Sequence, residues 1–183
     1  MNSERQKKAE AIKKESTRLQ SVAAGYLLYY ALKELGINLK DLSFIKGTKD
    51  KPYIKEHPEI FFNLSHSNDY AVLAISDKEV GIDIEKLRPV RSPLVVKALG
   101  QEAADQLLSL PDTEQIMEFF RQWTMKESYG KYTGEGLISV LFENVGFSEN
   151  GLNFYTSTAI EGYYLTICTP LQTEPEYEYI TEI

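Results

Sequence analysis

A single cysteine, Cys168, stands in the 183-residue sequence, so no internal disulfide staples the chain. A lone thiol suits a reducing compartment, and within its apolar, strand-like run Cys168 reads as a small buried hydrophobe. Excess positive charge is lacking too. Twenty lysines and arginines against 27 aspartates and glutamates leave a formal charge of −7, which argues against generic nucleic-acid binding. No apolar run approaches the ~18–20 residues of a membrane span, and no charged-then-apolar leader opens the chain. The sequence therefore reads as soluble and cytoplasmic, with neither membrane nor nucleic acid as partner. Its length leaves room for one large domain or two small ones with a real core.

What is present centres on two stretches. Ile116, Phe119, Phe120 and Trp123 follow the i, i+3, i+4, i+7 spacing of a buried helix face. The next inward positions along that stripe are Glu127 and Lys131. Buried charge is costly unless paired, hydrogen-bonded or bound to metal. Either the helix reaches solvent after Trp123, or the charged pair serves a site.

The second stretch, Val80-Gly81-Ile82-Asp83-Ile84-Glu85, alternates like a strand. Val80, Ile82 and Ile84 take one face, leaving Gly81, Asp83 and Glu85 on the other. Carboxylates at i and i+2 on one strand face lie roughly 7 Å apart, close enough to share a cation. A solvated edge strand is the plainer alternative. The preceding run, Tyr70 to Ile75, is apolar on both faces and reads as a central strand, with Ser76 to Glu79 as a hairpin connection.

Elsewhere, residues 3–35 read as a helix ended by Gly36, and residues 41–62 as short strands and turns around Gly47 and Pro52. Short helices are expected near 94–98 and 101–109. Pro111-Asp112 with Glu114 starts the long helix. Strands are expected at 138–142, 152–156, 163–169 and 177–180. Ser65 and His66 do not read as a nucleophilic pair, because neighbours in an extended chain point to opposite faces. The basic stretch Lys86, Arg88, Arg91 and Lys97 reads as a connector, and either meets an acidic partner or is simply solvated.

Taken in order, five blocks carry a resemblance: Lys51-Pro52-Tyr53, Phe62-Asn63-Leu64-Ser65-His66-Ser67, Gly81-Ile82-Asp83-Ile84-Glu85, Trp123-Thr124-Met125-Lys126-Glu127-Ser128 with Lys131, and Gly134-Glu135-Gly136-Leu137. This arrangement resembles the Sfp-type 4′-phosphopantetheinyl transferases across residues 51–137, with a looser match at Arg18. The resemblance implies an α+β fold, a pseudo-dimer of two similar α+β halves, taken here as residues 1–95 and 96–183. Longer members begin with a β-strand ahead of the first helix, and the sequence is read here without it. The implied substrates are coenzyme A and an acyl or peptidyl carrier protein, and the implied state is a monomer.

By the same resemblance Arg18 helps hold the 3′-phosphate of coenzyme A, Lys51 lies near the nucleotide end, and His66 contacts a phosphate with Ser65 close by. Arg5 and Lys8 either assist Arg18 or line a solvated helix face. Asp83, Glu85 and Glu127 make a hard, all-oxygen donor set suited to Mg²⁺ or Mn²⁺, whereas imidazole and thiolate are too scarce for zinc. Lys126 and Lys131 are expected to neutralise phosphates, and either Glu127 or a metal-bound water takes the proton of the carrier serine. Two other classes share these residues: a non-catalytic carrier-protein or nucleotide-binding module, and an unrelated Mg²⁺-dependent phosphohydrolase.

Overall fold

The computed structural model describes residues 14–47, 50–136 and 151–181. The first element, helix α1 (Glu15–Glu34), buries Ala24, Gly25, Leu28 and Leu32 along one stripe. That stripe packs against Ile54, Phe62, Leu64 and Leu73, giving the first of three apolar clusters. Gly36 closes the helix in the left-handed region (φ 74°). Residues 3–13 of the helix expected from sequence lie outside the described residues.

Strands β1 (Phe44–Lys46) and β2 (Pro52–Ile54) pair antiparallel. β3 (Phe61–Ser67) and β4 (Tyr70–Ser76) form a second antiparallel pair in full register, Phe61 opposite Ser76 and Ser67 opposite Tyr70. Asn68, at φ 51°, makes the tight turn between them. Strand β5 (Gly81–Lys86) leaves this pair and joins a three-stranded antiparallel sheet, ordered β5-β7-β6, with β6 at Asn153–Ser157 and β7 at Tyr163–Thr169. Ile82, Ile84, Tyr163, Leu165 and Ile167 form a second cluster under that sheet.

Three expectations are corrected here. Ser76 to Glu79 is not a hairpin connection, because β4 pairs with β3 and β5 pairs with β7. For the same reason β4 is not a central strand: among the described residues it has one ladder partner. The segment Tyr177–Ile180 also departs from the expected strand. It runs outside any ladder, with Tyr177 and Tyr179 exposed, and Glu178 accepts a hydrogen bond from Tyr30 Oη at 2.8 Å. Residues 138–142 lie outside the described residues.

The expected short helices are α2 (Ser92–Leu99) and α3 (Gln101–Leu108). They pack with helix α4 (Asp112–Thr133) around Val95, Ala98, Ala104, Leu107, Phe119 and Phe120. α4 begins after Pro111 with Asp112 and Glu114 in its first turn and ends at Gly134 in the left-handed region. It lies across β5 and β7, where buried Thr124 and Thr166 join their hydroxyls at 2.7 Å. The result is an α+β fold. None of its described helices is long and apolar enough to cross a membrane.

Candidate active site

The site forms where β3, β5 and α4 meet, and backbone proximity sets its geometry. A Cβ on Gly81 would collide with the Ser128 carbonyl oxygen and lie 2.5 Å from the Tyr132 backbone nitrogen. Glycine at this position therefore lets β5 touch the helix backbone. That contact brings Asp83 and Glu85, on the face away from Ile82 and Ile84, beside the last turns of α4.

Helix α4 answers with Lys131. Its ammonium donates to Asp83 Oδ1 at 2.7 Å, Ser65 Oγ at 2.8 Å and the Ile82 carbonyl at 3.1 Å. An ammonium has three donors, and all three are used. Asp83 is 4% exposed, and its other oxygen, Oδ2, is buried with no hydrogen-bond partner among the described residues. Burial pushes the Asp83 carboxyl above the ordinary range, against the pull of Lys131 and Ser65. Glu85 accepts from Ser67 Oγ and from Arg88 Nη1, each at 3.1 Å.

Glu127 lies one turn before Lys131 on α4. Its carboxyl is pushed up to about 7, first by burial and then by the charges of Asp83 and Glu85, with Lys131 pulling the other way. Lys126 is buried and its ammonium is lowered by that burial. The stripe running from Phe119 and Phe120 thus turns into the charged pair Glu127 and Lys131, half-buried and facing carboxylates.

A metal would be held by this donor set. Among the described residues no three of His, Cys, Asp and Glu are already drawn together as a metal cluster; Lys131 bonds Asp83 Oδ1 and Arg88 bonds Glu85. The residues nonetheless fit a hard divalent cation. All three donors are carboxylates, one buried oxygen lacks a partner among the described residues, and the carboxylate repulsion that adds to burial in raising Glu127 is what added positive charge relieves.

The other expected residues are spread more widely. Ser65 is buried inside the seam, bonded to Asp83 Oδ1 at 2.9 Å and to Lys131. Lys51 is also buried, tying the Val80 and Tyr132 carbonyls together at 3.2 and 2.9 Å and pairing with Glu79 at 2.6 Å. His66 is exposed and on the opposite face of β3, the face on which Phe62 and Leu64 meet α1. Gln20 of α1 donates to the Asn68 carbonyl at 2.8 Å, so the exposed Arg18 belongs to the helix turn beside the β3–β4 turn. Arg18 and His66 therefore share the α1 side and are not drawn into the carboxylate cluster. Arg5 and Lys8 lie outside the described residues. Asn63 and Ser67 carry no individual role in the sequence, although Asn63, Ser65 and Ser67 form a period-2 polar row that marks one face of β3; Arg88, expected in a basic connector, bonds Glu85.

Fold and site together define a class: an α+β protein in which one helix offers a glutamate and a lysine to paired carboxylates on a strand. The profile of the 4′-phosphopantetheinyl transferase superfamily matches residues 79–177, and that described as 4′-phosphopantetheinyl transferase, N-terminal, matches residues 1–78. The chain belongs to the 4′-phosphopantetheinyl transferase superfamily. It is similar to the 4′-phosphopantetheinyl transferase psf-1 of Bacillus pumilus, 36% identical over 99 residues, covering 54% of this chain and 42% of that protein. It is also similar to the transferase gsp of Aneurinibacillus migulanus, 29% identical over 152 residues, covering 76% and 63% of the two chains. Against Sfp of Bacillus subtilis (strain 168) the identity is 33% over 101 residues, covering 55% and 45%. The chain thus spans about half the length of the curated relatives it matches.

Proposed function

We propose that this chain transfers the 4′-phosphopantetheine arm of coenzyme A to a serine hydroxyl of an acyl or peptidyl carrier protein, releasing 3′,5′-ADP. The observation that carries this reading is the meeting of Glu127 and Lys131 with Asp83 and Glu85, in a chain of this superfamily. Asp83, Glu85 and Glu127 would hold Mg²⁺, or Mn²⁺ with the same donor preference, and the bound ion supplies charge neutralisation at the substrate phosphates. Glu127, half-buried and raised toward neutrality, accepts the proton of the carrier serine. The serine oxygen bonds to the phosphorus bearing the pantetheine arm. The bond from that phosphorus to the bridging oxygen breaks, and the electron pair leaves with 3′,5′-ADP. Lys126 and Lys131 offset charge gathering on the transferred group and the leaving oxygen. Arg18 and His66, on the α1 side, take the phosphates at the nucleotide end, with Arg18 offering forked donors.

Two-half organisation belongs to the same proposal, with residues 1–95 and 96–183 as a monomeric pseudo-dimer in the cytoplasm and β5 crossing into the later strands' sheet. The test is the intact mass of an apo carrier protein after incubation with this chain, coenzyme A and Mg²⁺, alongside reactions with EDTA and with Glu127→Gln. A metal-dependent gain of one phosphopantetheine, lost in the variant, is expected. Binding of coenzyme A without any gain on several carriers would leave a binding module in place of a transferase.

A further inference from the structure

Strand β5 has two edges, and β7 occupies only one. The N–H groups on the other edge, those of Ile82, Ile84 and Lys86, point toward β3, yet no β3 carbonyl receives them. They donate to side chains instead: Ile82 N to Asn63 Oδ1 at 3.0 Å, Ile84 N to Ser65 Oγ at 3.4 Å and Lys86 N to Ser67 Oγ at 3.1 Å. Each pair is separated by 19 residues, so β3 and β5 run in the same direction with a constant offset. A row of side chains has taken the place of one edge of a parallel ladder.

Both serines also use their hydroxyl hydrogen, again at one constant offset. Ser65 donates to Asp83 Oδ1 at 2.9 Å and Ser67 to Glu85 Oε2 at 3.1 Å, each 18 residues ahead. At the corresponding position opposite Asn63 stands Gly81, which has no side chain to receive anything. There the backbone of α4 fills the space. The row is therefore matched to its partners rung by rung, an amide opposite the glycine and hydroxyls opposite the acids. Ser65 is saturated: one donated hydrogen and two accepted bonds, from Ile84 N and Lys131 Nζ, exhaust a hydroxyl. It has nothing left to offer a phosphate.

From this geometry we infer that Asn63, Ser65 and Ser67 are positioning residues, which fix β5 in register and aim the Asp83 and Glu85 carboxylates for a divalent cation. Ser65 acts through Asp83 and not by contact with coenzyme A. The inference rests on the metal reading given above. Partners that orient ligating carboxylates commonly contribute about 10–100-fold to metal affinity.

Ser67 gives the cleanest test, since it is half-buried at the end of the row. Mn²⁺ affinity is measured calorimetrically without coenzyme A, and amide hydrogen exchange by NMR, for the wild type, Ser67→Ala and Ser67→Thr. Ser67→Ala is expected to weaken Mn²⁺ binding about tenfold and to speed exchange at the Lys86 amide selectively. Ser67→Thr, which keeps the hydroxyl, restores both. Faster exchange with unchanged Mn²⁺ affinity overturns the positioning role, as does a threonine variant as weak as alanine. A wild type that binds no Mn²⁺ overturns the underlying metal reading, and that failure shows before any variant is compared. For Ser65, Ser65→Ala is expected to lose Mn²⁺ affinity while its coenzyme A affinity in EDTA stays within twofold of wild type. The reverse pattern overturns its assignment.

Discussion

Gly81 lies directly against the Ser128 carbonyl oxygen, so strand β5 and helix α4 meet backbone to backbone with no side chain between them. The contact places Asp83 two residues along the strand within reach of Lys131. Alanine at position 81 has nowhere to go, because the obstacles are main-chain atoms of a helix and cannot swing aside. Gly81→Ala is expected to cost about 2–3 kcal/mol through overpacking and to lower the melting temperature by about 5–10 °C. Thermal denaturation followed by circular dichroism reads this directly, and an unchanged melt would show that the strand and helix are not in contact.

Breaking the Asp83–Lys131 pair from one side leaves a carboxylate stranded in a buried position. Lys131→Met is therefore expected to destabilise the chain at pH 7 by about 3 kcal/mol. Adding Asp83→Asn removes the stranded charge and should return much of that loss, since no ion is then left without its partner. Urea unfolding of the two single variants and the double variant gives the coupling. Simple addition of the two single losses would refute a direct interaction.

The charged pair was legible in the sequence because two periods converge on it. Alternation in Gly81 to Glu85 separates the acids from Ile82 and Ile84, and the 3.6-residue period carries Phe119 and Phe120 on toward Glu127 and Lys131. Pairing of β4 was misread because periodicity describes a strand's faces and says nothing of its neighbours. Short loops favour adjacent strands, but Asn68 already closes β4 onto β3 and β5 finds β7 across the chain. The 177–180 segment alternates tyrosine and glutamate like a strand, yet its tyrosines stay exposed and no ladder forms. Asn63, Ser65 and Ser67 were visible as a polar row, the usual pattern of a solvated strand face. Only the three-dimensional placement of β5 reveals that their partners are backbone amides.

Glu127 gives a pH signature with a definite sign. Its folded carboxyl titrates near 7, above its ordinary value of 4.5, so between those limits the folded state holds more protons than the unfolded. Stability must then fall as pH rises through this window. Replacing Glu127 with glutamine removes the penalty and is expected to stabilise the chain by about 1–2 kcal/mol at pH 8, about 3–6 °C in melting temperature. At pH 4 the two proteins should melt alike. Added Mn²⁺ should stabilise the wild type more than the variant, closing or reversing the gap at pH 8. A variant no more stable than wild type at pH 8 without metal would mean that Glu127 is not confined among like charges.

Lys51 and Arg18 were read from sequence as serving the same end of coenzyme A, and the structure gives them opposite surroundings. Lys51 is buried, with its ammonium spread over the Val80 carbonyl, the Tyr132 carbonyl and Glu79. Those bonds tie the start of β5 to the last turn of α4, so Lys51→Met takes the ammonium from two carbonyls and leaves Glu79 with only Tyr53 Oη and the Val80 amide as donors. A loss of about 2 kcal/mol is expected, with coenzyme A affinity within twofold of wild type for the protein that remains folded. Arg18 is exposed on α1, where its removal leaves no buried group unsatisfied. Arg18→Ala is expected to leave the melt unchanged and to weaken coenzyme A about tenfold, the effect of one charge-assisted phosphate contact. The tenfold loss should shrink for dephospho-coenzyme A, which lacks the 3′-phosphate. Titration of both ligands into both variants separates the roles, and a Lys51 variant that melts normally but binds coenzyme A poorly would make Lys51 a ligand contact after all.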